Sequence, residues 1–136
     1  MTANTAITEL DALLASLNPE LQPAEYVFCS VPGSVSAYLA MQPLASFAEA
    51  EGITLVLEKS RAEAAGLSCS GCFRQITLTV HSSLEAVGLT AAVSSALAAA
   101  GISANVIAAY YHDHIFVPAD KAEAAMAALA AISSIE

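Results

Sequence analysis

The sequence contains no tryptophan and only four basic residues against thirteen acidic ones. A net charge of −9 repels phosphate backbones and anionic lipid, so neither nucleic acid nor a membrane surface is expected as a partner. Long apolar runs are missing too. Hydrophobic residues make up 57% of the chain, but alanine alone supplies 31 of the 136. No segment offers the ~20 consecutive apolar residues that a membrane helix needs. The longest uncharged stretch, Ala86–Tyr111, is broken by Ser94, Ser95, Gly101, Ser103 and Asn105, and reads as helix, turn and strand. Met1–Ser16 carries Glu9 and Asp11 and no base, unlike a signal peptide. These absences predict a cytoplasmic protein. Cysteine is scarce, at Cys29, Cys69 and Cys72. An odd count in such a chain argues against a disulfide framework. Cys69 and Cys72 form a C-x-x-C with no second pair to complete a zinc site, and the motif leads into a strand rather than from strand to helix. Ordinary thiols are expected, with Cys29 a small buried hydrophobe in mid-strand. There is no glycine-rich phosphate loop and no Gly-x-Ser-x-Gly elbow. No cofactor is expected.

An internal repeat is present at an offset of 60 residues. Ser60-Arg61-Ala62-Glu63-Ala64-Ala65 matches Asp120-Lys121-Ala122-Glu123-Ala124-Ala125. Both fit a capping box, with an oxygen-bearing N-cap and Glu three residues on. Each follows a short apolar strand, Ile53–Leu57 and His114–Val117. Upstream, Glu51-Gly52 and Tyr111-His112 align as hairpin turns, each preceded by a strand candidate, Pro43–Glu49 and Ile102–Tyr110. Two further β-rich runs stand ahead of these, Tyr26–Val31 and Phe73–Val80. The second alternates, with Phe73 and Gln75 on one face and Arg74 opposite, as in a strand exposed on one side. Gly88–Ala100 places Leu89, Val93, Leu97 and Ala100 at helical spacing, and Gly101 is a natural stop. The corresponding connection in the first half, Gly33–Met41, has room for one or two helical turns. Thr5–Leu17 predicts an N-terminal helix. The order is α+β: tandem ferredoxin-like βαββα(β) repeats, with helices on one face of an antiparallel sheet. A fourth strand is not evident in either half, so a shared or swapped strand is expected. Halves of ~65 residues bury little core alone, which favours a homodimer.

The run Gly88-Leu89-Thr90-Ala91-Ala92-Val93-Ser94-Ser95-Ala96-Leu97-Ala98-Ala99-Ala100-Gly101-Ile102-Ser103-Ala104-Asn105-Val106 resembles the signature of ACT domains, in which a glycine opens the first helix and Ala-Gly-Ile closes it. Thr79–Thr90 and Tyr110–His114 resemble a bacterial subgroup of stand-alone tandem-ACT proteins. The resemblance implies a first, degenerate ACT-like half with the N-terminal helix over residues 1–70, and a second ACT domain over residues 71–136. It also implies a regulatory sensor for an amino acid or similar small polar metabolite, bound between the first strand and first helix and at a domain or subunit interface. That loop is His81–Gly88 here, with Val31-Pro32-Gly33-Ser34 as its counterpart. Where many members carry an acidic residue and proline before the glycine, this chain has Ala86-Val87.

The chemistry of such a loop follows from helix ends. The first amides of a helix lack internal partners and lie at the positive end of its dipole, so a carboxylate binds there readily. Gly88 allows close approach; Ser82, Ser83 and Thr90 offer hydroxyls; Glu85 accepts an ammonium group. Leu84, Leu89, Asn105, Gly33 and Ser34 complete the expected ligand-binding set. The same residues also fit plain capping, Ser82-x-x-Glu85 being a capping box. His112 and His114 would share a face of a strand. They fit a structural turn or interface, a ligand contact, or a metal or acid–base pair. The expected function is therefore a non-catalytic amino-acid-binding module. The alternatives are a ligand-free interaction or assembly module for a partner enzyme or transporter, and last a metal-dependent enzyme using His112 and His114.

Overall fold

The computed structural model describes residues 12, 14–15, 17–79 and 88–133. Among the described residues six strands are assigned: β1 (Pro19–Val31), β2 (Ala45–Glu49), β3 (Gly52–Glu58), β4 (Cys69–Leu78), β5 (Asn105–Ala108) and β6 (Asp113–Pro118). Three α-helices accompany them: α1 (Lys59–Ala64), α2 (Leu89–Ala99) and α3 (Ala122–Ser133). A 3-10 helix spans Val35–Met41, and a 3-10 turn, Ala119–Lys121, leads into α3. The N-terminal helix expected over Thr5–Leu17 falls almost wholly outside the described residues; Ala12, Leu14 and Ala15 are helical.

The chain forms two compact units. The first is continuous, Pro23–Arg74; the second takes the chain up to Gln22 and again from Gln75. β1 and β4 therefore each change unit part-way along, and Pro23 stands at the change in β1.

In the first unit the strands neighbour one another in the order β2-β3-β1-β4. β1 pairs antiparallel with β3, Cys29 opposite Leu55 and Val27 opposite Leu57. Alternation then points Val27, Cys29, Val31, Leu55 and Leu57 to one face, where Ala62 of α1 closes a small core. The 3-10 helix buries no residue. Gly52 opens β3 at φ 152°, and a Cβ there would meet the Val31 carbonyl oxygen at 2.9 Å, so only glycine fits this turn without a shift.

In the second unit the order is β1-β4-β6-β5. The missing fourth strand is thus the N-terminal end of β1, which precedes the rest of the unit in sequence. Asn18 Nδ2 donates to Thr79 Oγ1 at 2.9 Å, and Gln22 Nε2 to Thr77 Oγ1 at 3.2 Å. Ile76, Leu78, Ile115 and Val117 face α2 and α3, which bury Leu89, Val93, Leu97, Ala122, Ala125 and Leu129. α2 ends as its spacing predicts. Gly101 has φ 76°, and the Ile102 amide donates to the Leu97 carbonyl at 2.9 Å.

Three expectations are corrected. Neither capping box forms: α1 begins at Lys59 directly from β3, so Ser60 is already inside it, and Asp120 sits in the 3-10 turn before α3. No side-chain cap bond is made at the start of α1 or of that 3-10 turn. Over Gln75–Leu78 β4 is covered on both faces: Gln75 and Thr77 are each 7% exposed, beside Ile76 at 0% and Leu78 at 2%. The cysteines are not all thiols: Cys29 and Cys69 form a disulfide, their Cα atoms 4.7 Å apart, and Cys72 alone is free. The pairing joins neighbouring strands, a proximity that residues 40 apart do not announce in sequence.

Candidate functional site

Of the residues singled out from sequence, Gly33 and Ser34 follow β1, Gly88 stands before α2 with Leu89 and Thr90 in its first turn, and Asn105 opens β5. In the first unit β1 ends at Val31, and Gly33 follows at φ 91°. Open space surrounds the position where its Cβ would lie. Ser34 precedes the 3-10 helix in an extended conformation and makes no cap bond; its Oγ lies 2.7 Å from Ser36 Oγ. The Tyr38 hydroxyl donates to the Pro32 carbonyl at 2.5 Å and holds the loop in place.

In the second unit Gly88 stands immediately before α2 at φ 98° and ψ −40°. A glycine here satisfies the positive φ but supplies no side-chain cap. Leu89 is buried in the core, so its backbone amide is what it can offer a ligand. Thr90 is exposed one residue further on. Asn105, exposed at the start of β5, faces Phe116 across the ladder, and its Nδ2 donates to the Phe116 carbonyl at 3.4 Å. Ser82, Ser83, Leu84 and Glu85 lie outside the described residues.

The histidines differ in surroundings. His114 is partly buried on β6, with its Nδ1 3.0 Å from Gln75 Nε2 and 3.1 Å from Thr77 Oγ1. An amide N–H can only donate, so Nδ1 accepts and the proton of the neutral ring lies on Nε2. Burial, then the neighbouring His112, push its pKa below the ordinary value, while Asp113 pulls the other way. Thr77 links this ring to Gln22, so a polar chain runs across β1, β4 and β6. Among the described residues no group of three or more His, Cys, Asp or Glu gathers to hold a metal ion.

The sequence reading missed a cleft in the first unit. About 440 Å³ in volume, it opens beside the disulfide, with Phe28 and the hydroxyls of Ser30, Thr54, Ser68 and Ser70 around Cys29 and Cys69. The C-x-x-C was the available signal, but Cys29, the true partner of Cys69, lies far from it in sequence.

Two ACT-domain family models match the chain, over residues 5–74 and 73–131. A crystal structure from Vibrio cholerae, of a protein of unknown function described as a possible transport protein, is 56% identical. That match covers 94% of this chain and 98% of the other, at a TM-score of 0.88. A protein from Agrobacterium tumefaciens is 15% identical over 85% of this chain and 87% of its own, at a TM-score of 0.71. The ligand-free regulatory subunit of aspartate kinase from Thermus thermophilus is 12% identical over 86% and 97%, at a TM-score of 0.64. These last two bear on the fold alone. No curated protein matches the chain. No helix among the described residues is long and apolar enough to cross a membrane.

Proposed function

Because the chain belongs to the ACT-domain family and carries two ACT domains in tandem, we propose that it is a regulatory module that binds a small polar metabolite, specifically an amino acid. The observation that carries this reading is Gly88, which opens α2 at φ 98° without a side chain of its own. A ligand carboxylate at this end meets backbone donors and the positive pole of an 11-residue helix. In this reading Ser82, Ser83 and Thr90 supply hydroxyls to the ligand, and Glu85 receives its α-ammonium group. Gly33 and Ser34 form the equivalent loop of the first domain. In this reading the chain catalyses nothing itself, works in the cytoplasm and pairs as a homodimer. The cytoplasm's thiols would keep the Cys29–Cys69 bond in exchange.

The test is a thermal-shift screen of the protein against the twenty amino acids. Ligands that bind only the native state raise its Tm. One amino acid, or a few related ones, should do so, and Ser83→Ala together with Glu85→Gln should weaken the shift. A flat screen sinks the proposal. It would favour the ligand-free interaction module, for which the exposed pair Tyr110 and Tyr111, packed edge to face at 4.9 Å, is the supporting observation. A metal-dependent reaction at His112 and His114 draws no support, since Gln75 and Thr77 already engage His114 Nδ1.

A further inference from the structure

The two ends of the disulfide are unequal. Cys29 is 3% exposed and packs with Val27, Val31, Leu55 and Leu57. Cys69 is exposed at the start of β4. The 440 Å³ cleft touches both sulfur-bearing residues. A second cleft, of about 210 Å³, touches Cys69 and Gly71 but not Cys29, and Lys59 and Glu63 line it. Displacement at sulfur runs in line, with the incoming thiolate on the far side of the attacked atom from the leaving one. Cys69 is open to solvent for such an approach, whereas Cys29 is enclosed by its apolar neighbours.

We propose that Cys69 is a modification site, at which a small zwitterionic thiol opens the Cys29–Cys69 bond and remains attached as a mixed disulfide. The incoming sulfur gives its electron pair to Cys69 Sγ and forms the new S–S bond. The old bond breaks, and Cys29 Sγ leaves with the pair and takes the proton that the incoming thiol has lost. One disulfide is consumed and one is made, so no external oxidant enters. Lys59 and Glu63 offer opposite charges to the carboxylate and ammonium groups of a cysteine-like thiol. The 210 Å³ space has room for an amino-acid-sized group, such as the zwitterionic end of glutathione, but not for a folded protein. Cys72 does not resolve the product. Its Sγ donates to Glu25 Oε1 at 3.4 Å, and burial together with that carboxylate pushes its thiol up, away from the reactive thiolate.

The test uses the full chain, purified without reductant and incubated with excess glutathione, then acid-quenched, digested with trypsin without reduction and mapped by mass spectrometry. Cleavage after Lys59, Arg61 and Arg74 puts Cys29 in one peptide and Cys69 with Cys72 in Ala62–Arg74, so the native bond appears as a linked pair. The linked pair should vanish as glutathione appears on Cys69, about tenfold or more over Cys29. In urea that preference should fall towards parity. The Cys72→Ser variant should give the same Cys69 adduct. An adduct mainly on Cys29 overturns the proposal. So does an adduct on Cys72 with the linked pair intact, a pair that resists glutathione, or no linked pair before treatment.

Discussion

Both units place four strands in the same neighbour order, but the first builds its core from six buried residues and the second from twelve, among the described residues. The difference lies in the helices. α2 and α3, of 11 and 12 residues, each bury three side chains. In the first unit the corresponding elements are a 3-10 helix that buries nothing and the six-residue α1, which buries Ala62 alone. Each fully buried leucine is worth about 1.5–3 kcal/mol over an exposed one, so the first unit lacks a large share of the usual drive. The Cys29–Cys69 bond stands in its place. It closes a loop whose ends are 40 positions apart in sequence, which in the chain-entropy view contributes about 4 kcal/mol. A repeat can thus keep its topology while exchanging one source of stability for another.

Each unit's own source of stability can be removed separately. Leu97→Ala removes a fully buried side chain between α2 and the sheet and should cost about 2–5 kcal/mol in urea unfolding, under oxidising and reducing conditions alike. Cys69→Ala should cost about 2–4 kcal/mol against the oxidised protein and little against the reduced one. If reduction leaves the wild-type unfolding curve unchanged, the covalent account of the first unit is wrong. Gly52→Ala forces a Cβ to within 2.9 Å of the Val31 carbonyl oxygen and should cost about 1–3 kcal/mol. The smallest effect belongs to the second unit and to pH. His114 has a folded pKa below its ordinary 6.5, so the unfolded chain binds the proton more tightly. Its stability contribution is therefore complete above 6.5 and is lost as pH falls through the folded value. Tm should fall on acidification, and His114→Gln should flatten that slope.

Local patterns were legible where they alone decide the structure. Leu89, Val93 and Leu97 recur every fourth residue, and Gly101 ends the helix as its position indicates. Both hairpins fall at the aligned turns. What depended on distant partners was not legible. Pro19–Gln22 carries no strand signal of its own, with prolines at 19 and 23, and it is a strand because β4 lies beside it. The partner of Cys69 is set by strand pairing rather than spacing. The capping-box motif matched at both repeats, but it is a preference for satisfying free amides, and a strand that runs straight into its helix overrides it. Of the residues proposed for ligand binding, Gly33 and Gly88 take positive φ ahead of the helices that follow them. Leu89 and Asn105 matched the same pattern and serve the core and the β5–β6 ladder.

The passage of β1 through both units has a consequence during synthesis. Pro19–Gln22 leaves the ribosome early, but its neighbour within the second unit is the end of β4, from Gln75 onward. The whole first unit is translated while that short strand waits with an unmatched edge. Early pairing with another nascent chain is the hazard of such a delay. Prolines at positions 19 and 23 lack amide donors and make the waiting strand a poor template for a stranger.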